Sequence, residues 1–253
     1  MSFYVYLPSN GSQRYFPENT ASKYRIKTAN KFEFNQNEYE VGLVEISYAG
    51  SIKTFNGINE DNIMVFKPSN QIEKRLVLPL IVYENIHHLV NIINLMIPPE
   101  EEDGHKNVQA TAMGSQRVKI EVFHQAEFKI SEKLSYILGF NGICDFIGSS
   151  LRTHFLSTTA PNLLGGAYHI YIYTDIVQPI VVGSELVPLL RIANLSRNDN
   201  GVFTTRFERP YYLPLARNVF DTISVVLCNE FGEELSIKNG QVTLVLHFRK
   251  NVG

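Results

Sequence analysis

Hydrophobic and polar residues alternate along most of the last third of the chain, which is typical of β-strands. Val242, Leu244 and Leu246 share one face of the final predicted strand, and the alternate residues from Thr243 to His247 share the other. Residues 220–228 have the same period of two. Asn239-Gly240 favours a turn before the final strand, because glycine adopts positive φ at low steric cost. The pattern predicts a rigid β surface rather than a catalytic loop.

The same alternation predicts strands through the rest of the chain. In the segment 39–48, the odd-numbered residues from Tyr39 to Glu45 are predicted on one face, and Val44, Ile46 and Tyr48 on the other. In the segment 74–83, Pro79 predicts an edge or a bulge, because proline cannot donate to a strand ladder. The other predicted strands are 3–7, 22–28, 62–67, 118–123, 127–130, 168–176, 189–193 and 202–207.

Two helices interrupt this pattern. Residues 86–97 place apolar side chains on one helical face (Leu89, Val90, Ile93 and Ile97), with Asn85 as N-cap and Pro98-Pro99 as the stop. A second, short helix is capped by Ser131 and ends at Gly139, with Leu134, Ile137 and Leu138 facing inward. About ten strands and two helices favour an all-β sandwich or jelly roll. We predict one domain, 1–253, with a helix-containing insertion at 84–142.

Charge and cysteine content narrow the range of functions. The net charge of −2 predicts no general attraction to nucleic acid or to anionic membranes. Cys144 and Cys228 belong to no C-x-x-C pair, so free thiols are expected, although a disulfide remains open. Residues 1–8 lack the basic region of a signal peptide, and the apolar stretch 76–83 is too short to span a membrane. We therefore expect a soluble protein made in the cytosol or nucleus.

No arrangement of residues predicts catalysis, a cofactor or a metal site. His87 and His88 are adjacent on a helix and point about 100° apart, which is a poor geometry for one metal ion. His247 is predicted to be packed or hydrogen-bonded. His105, His124, His154 and His169 have no Ser or Cys partner in a local motif. The acidic run 100–103 and the segment 198–201 are interpreted as a solvated loop and a tight turn. Glu45, Glu121 and Glu208 are acid–base candidates only if the fold makes them neighbours.

Three blocks of sequence, in order along the chain, carry a family resemblance. The first is 3–12 (FYVYLPSNGS) with 15–20 (YFPENT) and 39–46 (YEVGLVEI), and the second is 131–140, which ends in LGF. The third comprises 170–177 (IYIYTDIV), 181–183 (VVG), 188–191 (PLLR), 212–215 (YLPL), 220–223 (FDTI) and 246–249 (LHFR). Together they resemble the minor capsid, or penton, proteins of Polinton/Maverick elements and of related adintovirus- and virophage-like viruses. Two departures are Tyr39, where tryptophan is common, and Ala49-Gly50 in place of a proline-containing turn.

The resemblance implies a single jelly roll that assembles into a homopentamer at the fivefold vertices of an icosahedral shell. The partners would be other copies of the chain and trimers of a double jelly-roll major capsid protein, and no reaction would be catalysed. The loops 10–19 and 194–201 and the insertion helices become candidates for contacts or outward-facing tips, with no single residue assigned. The alternative hypotheses are a jelly-roll recognition module, such as a lectin or a tumour-necrosis-factor-like ligand, and a hydrolase on a β scaffold.

Overall fold

The computed structural model describes residues 2–57, 60–69, 72–99, 106–114, 116–197 and 201–251. Within them the helices are α1 (Ile86–Met96) and α2 (Glu132–Leu138). The strands are β1 (Ser2–Pro8), β2 (Lys23–Glu33), β3 (Tyr39–Ala49), β4 (Ile63–Lys67), β5 (Lys74–Val77), β6 (Val108–Met113), β7 (Arg117–Val122), β8 (Glu127–Ile130), β9 (Asp145–Ile147), β10 (Thr153–Leu156), β11 (His169–Thr174), β12 (Ile180–Val182), β13 (Glu185–Val187), β14 (Leu189–Asn194), β15 (Val202–Arg206), β16 (Leu213–Pro214), β17 (Val219–Cys228) and β18 (Val242–Lys250).

The contacts within the chain divide it into two compact units. The jelly-roll unit consists of Met1–Ile52 and Ala167–Gly253, and the inserted unit is Lys53–Gly166. The predicted insertion, 84–142, lies inside the inserted unit. Strands β4 and β5 before it and β9 and β10 after it pair with strands of the same unit. That the chain forms one domain remains a prediction.

The jelly-roll unit is defined by its strand order. One sheet has the order β1-β18-β3-β15, with β16 also paired to β3, and the other has the order β14-β11-β17-β2. The pairings within both sheets are antiparallel. In chain order, the eight main strands of this unit are β1, β2, β3, β11, β14, β15, β17 and β18. The first sheet contains, side by side, the first, eighth, third and sixth of these strands. The second sheet contains the fifth, fourth, seventh and second. This order is that of a jelly roll, and the prediction of a single jelly-roll fold is confirmed.

Aromatic rings fill one region between the two sheets. Phe248 of β18 lies parallel to Phe3 of β1, with ring centroids 5.0 Å apart, and 5.9 Å from Phe32 of the opposite sheet. Such offset pairs add to the area that the rings bury. The members of this aromatic cluster are Phe3, Phe32, Phe34, Tyr39, Phe220 and Phe248.

A bulge in β3 changes which residues face the core. Val245 pairs with Glu45 and Leu246 pairs with Leu43, so Val44 is left without a partner on β18. Ile46 is fully buried, as are Val41 and Leu43 before the bulge. The prediction that Ile46 and Tyr48 lie on the face opposite Tyr39, Val41 and Leu43 was therefore wrong, and so was the prediction that Glu45 shares the face of those three residues, since it lines the outer face. One extra residue reverses the alternation along a strand.

The inserted unit packs its two helices against short strands. The buried residues of α1 are Leu89, Val90 and Ile93, and Asn85 accepts the backbone N–H of His88 as predicted for its N-cap. The side-chain amide of Asn94 exchanges two hydrogen bonds of 2.8 Å with the backbone of Ala110, which satisfies part of the open edge of β6. In α2, Leu134, Ile137 and Leu138 are buried, and Gly139 ends the helix in the left-handed conformation, as predicted.

Several sequence predictions differ in extent from the structure. The strand predicted at 74–83 ends at Val77, before Pro79, and it is an edge strand. β2 extends to Glu33, five residues beyond the predicted end. The sequence did not predict β6, β9, β10, β12, β13 or β16, most of which are too short to display a clear period. The predicted acidic loop 100–103 lies outside the described residues, as do 198–200 of the predicted turn 198–201.

Candidate assembly surface

A depression of about 520 Å³ lies on the outer face of the sheet that contains β1, β18, β3 and β15. Tyr6, Val245, Glu45 and Arg206 are successive cross-strand partners, so they form one row across the four strands. This depression, called the outer groove below, is lined by Tyr4, Tyr6, Val44, Glu45, Arg206, Phe207, Glu208 and Val245.

The outer groove has an apolar floor and one polar end. Val245 is only 6% exposed although it lies on the outer face, whereas Tyr4 and Tyr6 beside it are 59% and 66% exposed. At the other end of the row, Nε of Arg206 lies 2.6 Å from a carboxylate oxygen of Glu45. The terminal guanidinium nitrogens of Arg206 have no partner among the described residues. The groove therefore combines an apolar end with polar lining residues of both charges, Glu45, Arg206 and Glu208.

His247 joins the groove to a second group of aromatic residues. Its ring stacks on Tyr4 with centroids 4.6 Å apart, and its Nδ1 lies 2.8 Å from the hydroxyl of Tyr212. The guanidinium of Arg249 lies over the ring of Tyr212, 3.4 Å from its centroid. Partial burial, and then the positive charge of Arg249, lower the pKa of His247 from its ordinary value. The prediction that His247 is packed and hydrogen-bonded is confirmed.

Arg191 of β14 contacts two aromatic rings, one of which lines the outer groove. Its guanidinium lies 4.5 Å from the ring centroid of Phe207, which lines the groove, and 3.9 Å from that of Tyr211. Cation–π contacts of this kind hold aromatic rings in place. Nη1 of Arg191 is buried and has no hydrogen-bond partner among the described residues.

The jelly-roll unit also contains a two-stranded hairpin. β12 and β13 pair with each other through the turn Gly183-Ser184, and within the described residues they pair with no other strand. Gly183 has φ of 62°, which suits the first central position of a tight hairpin turn. The cross-strand partners Val181 and Leu186 are 71% and 70% exposed. The hairpin thus presents an apolar pair to solvent.

The described residues of both predicted contact loops make hydrogen bonds to other parts of the jelly-roll unit. In the loop 10–19, Asn19 donates to the carbonyl of Arg25 at 2.9 Å and accepts from its N–H at 2.9 Å, while Tyr15 is 62% exposed. In the loop 194–201, Leu195 is 9% exposed and the carbonyl of Gly201 accepts the N–H of Gly50. The loop 10–19 is therefore a fixed surface feature with an exposed aromatic side chain.

The acid–base candidates do not form a single group. Glu45 and Glu208 both line the outer groove, whereas Glu121 belongs to the inserted unit, where it is 4% exposed and bound by Lys119 and Arg152. Glu45 is occupied by Arg206. Nothing in this arrangement provides a nucleophile beside a base.

His88, His169 and the two cysteine side chains occupy ordinary structural environments. Nδ1 of His88 accepts the N–H of Glu84, and His169 lies 3.3 Å from Glu230. Both cysteines are free; Cys228 is buried and Cys144 is partly buried, and burial raises the pKa of each thiol. In the described ranges, no group of three or more His, Cys, Asp or Glu side chains is placed to hold a metal ion. No described helix is long and apolar enough to cross a membrane.

The strand order places the chain among single jelly-roll proteins, and comparison with solved structures agrees. The mavirus penton protein matches with a TM-score of 0.54 at 11% identity, over 99% of this chain and 100% of that one. A chain of the Sputnik virophage, solved by cryo-EM, matches with a TM-score of 0.49 at 8% identity, over 98% of each chain. No protein-family model and no curated protein matches the sequence. The similarity to the mavirus protein is thus one of fold.

Proposed function

We propose that the protein is a structural capsid protein that forms the pentameric vertex, or penton, of an icosahedral shell and catalyses no reaction. The observation that carries this proposal is the fold shared with the mavirus penton protein over 99% of this chain and 100% of that one. The order of the sequence blocks that resemble penton proteins supports it independently. Fold alone does not determine function, so the proposal depends on both.

The surface of the jelly-roll unit is suited to self-assembly. A closed ring needs two different patches on each subunit, because each copy contacts its two neighbours through unlike surfaces. The outer groove and the exposed face of the β12–β13 hairpin are two unlike surfaces of this unit. We infer that the functional unit is a homopentamer.

The proposed location is the vertex of the virion, after synthesis in the host cytoplasm or nucleus. There the pentamer would contact a double jelly-roll major capsid protein. The net charge of −2 gives no reason to propose direct binding of nucleic acid or of an anionic membrane. The surrounding shell would supply the other contacts of the ring.

Light scattering on the purified chain tests the proposal most directly. We expect a mass of about five times 28.8 kDa at physiological salt. A chain that stays monomeric at every concentration, both alone and with the major capsid protein, would contradict it. A stable trimer would instead favour the recognition-module hypothesis, and a glycan array would then follow. No observation within the described residues favours that alternative now.

A further inference from the structure

An amine, a carboxamide and a carboxylate meet in the inserted unit, where the loop before β4 lies against α2. Nζ of Lys133 is 3.2 Å from Oδ2 of Asp61 and 3.5 Å from Oδ1 of Asn56. The side chain of Asp61 is only 6% exposed, and that of Lys133 is 23% exposed. Phe55 and Leu134, the chain neighbours of Asn56 and Lys133, are fully buried in the core of the unit. The three groups are therefore held together at the border of that core.

Backbone hydrogen bonds fix the positions of these groups. The carboxylate of Asp61 accepts the backbone N–H groups of Asn56 and Gly57, at 3.2 and 3.0 Å. The hydroxyl of Ser131, which caps α2, donates to the carbonyl of Asp61 at 2.6 Å. The loop is thereby tied to the helix that carries Lys133. Because both segments are held, the amine and the carboxamide react with the advantage of an intramolecular pair.

We propose that Lys133 and Asn56 of the same chain become joined by an isopeptide bond, with Asp61 transferring the protons. The carboxylate of Asp61 takes one proton from the Nζ ammonium, and the neutral amine attacks Cγ of Asn56. The bond between Nζ and Cγ forms, and the bond between Cγ and Nδ2 breaks. Asp61 passes the first proton and a second one from Nζ to the leaving nitrogen, which departs as ammonium. Atoms and charge balance, and no oxidant or cofactor is needed.

The same contacts disfavour a competing loss of ammonia. In an Asn-Gly sequence, the backbone nitrogen of the glycine can attack the asparagine side chain and form a cyclic imide. At Asn56 that nitrogen belongs to Gly57, and its N–H is engaged by Oδ1 of Asp61. The arrangement therefore favours the lysine as the nucleophile.

The bond would cross-link two residues that are 77 positions apart. A cross-link of this kind restricts the unfolded chain, so it stabilises the folded inserted unit. It forms once in each chain and turns over no substrate. The inference goes beyond the proposed assembly and does not depend on it.

Mass spectrometry of the purified full chain tests the bond. After incubation at neutral pH, we expect an intact mass about 17 Da below that of the sequence, which is the mass of one ammonia. Digestion should yield a branched peptide that joins Asn56 to Lys133. A folded chain with its full sequence mass would overturn the proposal. A loss of about 18 Da located at Lys133 and Asp61 would overturn it as well, because it marks condensation of the amine with the carboxylate.

Lys133→Arg distinguishes the isopeptide bond from the cyclic imide. Arginine keeps a cation beside Asp61 but cannot form the amide, so we expect the full sequence mass. If this variant still lost ammonia, cyclisation at Asn56 would be the cause and the proposal would be wrong. Lys129→Arg is the matched control, since Lys129 lies in the same unit in an exposed ion pair with Asp145, and it should retain the loss.

Asp61→Asn tests the proton transfer. The variant keeps the shape of the side chain and an oxygen that can accept backbone N–H groups, but it cannot carry the proton. We expect the branched peptide of Asn56 and Lys133 to form at least about a hundredfold more slowly, which is the usual contribution of a general acid–base group. Formation at the wild-type rate would contradict the role assigned to Asp61.

Discussion

Gly139 is a residue of the inserted unit at which adding a single methyl group should be strongly destabilising. It ends α2 with φ of 86°, and a Cβ at this position would lie 2.3 Å from the carbonyl oxygen of Thr159. Both the positive φ and the backbone clash must be relieved. We therefore expect Gly139→Ala to lower the free energy of unfolding by about 2 kcal/mol or more. Urea denaturation monitored by circular dichroism measures this change.

Gly114→Ala is the matched control for that substitution. Gly114 lies in the turn between β6 and β7, and a Cβ there has nothing within 4 Å. We expect a change within about 0.5 kcal/mol, the usual range for an open surface position. If both alanine variants were equally destabilised, the loss at Gly139 could not come from the clash with Thr159.

His247 should make stability depend on pH. Its lowered pKa means that the folded chain binds the imidazole proton less tightly than the unfolded chain, in which the histidine pKa has its ordinary value of 6.5. The stability that neutral His247 contributes is thus fully present above pH 6.5 and is lost as the pH falls through the lowered pKa of the folded state. We expect the free energy of unfolding to drop between neutral and mildly acidic pH more steeply in the wild type than in His247→Asn. Denaturation curves across that range provide the measurement, and parallel curves would contradict it.

Residue-scale features with a local cause were readable from the sequence. Asn85, Ser131 and Gly139 were predicted as helix caps, and the structure has them in those roles, because a cap depends on its nearest neighbours in the chain. The outer groove was not predicted. It brings together Tyr6, Val245 and Arg206 from distant segments, and no local pattern marks side chains that meet only through strand pairing.

At the scale of the elements, the aromatic cluster joins the two sheets of the jelly roll. Phe248 is fully buried and contacts Phe3, Phe32, Phe34 and Phe220. Truncating it leaves a cavity that rigid neighbouring rings cannot fill. We expect Phe248→Ala to cost about 3 to 5 kcal/mol of unfolding free energy. Phe231→Ala, at a position that is 63% exposed, is the control and should cost about 0.5 kcal/mol or less. Similar losses in both variants would show that the cluster does not hold the sheets together.

The success of the strand predictions depended on length and regularity. β17 and β18 have ten and nine residues that alternate over most of their length, and both were predicted. In β3 the bulge at Val44 reverses the alternation, so the faces after it were assigned incorrectly. β12 and β13 have three residues each, too few for a period to emerge, although Gly183-Ser184 between them is a dipeptide suited to a tight turn. The β12–β13 hairpin was therefore not predicted.

At the scale of the whole molecule, each of the two units has a core of its own. The eight main strands of the jelly-roll unit pair within that unit. The inserted unit has a separate cluster of buried side chains that includes Phe128, Leu134 and Phe146. Each unit can therefore bury a hydrophobic core without residues of the other, which is the physical requirement for folding alone.

Replacing Lys53–Gly166 with a flexible glycine–serine linker tests that independence. We expect the shortened chain to keep a β-type circular dichroism spectrum and a cooperative thermal transition, because the removed residues supply none of its strand partners. Introducing Phe248→Ala into the shortened chain is the control, since it should weaken that same transition. A shortened chain without a cooperative transition would favour the single cooperative domain that the sequence predicts. A shortened chain that folds and still forms a ring would place the assembly contacts in the jelly-roll unit, where the groove and the hairpin lie.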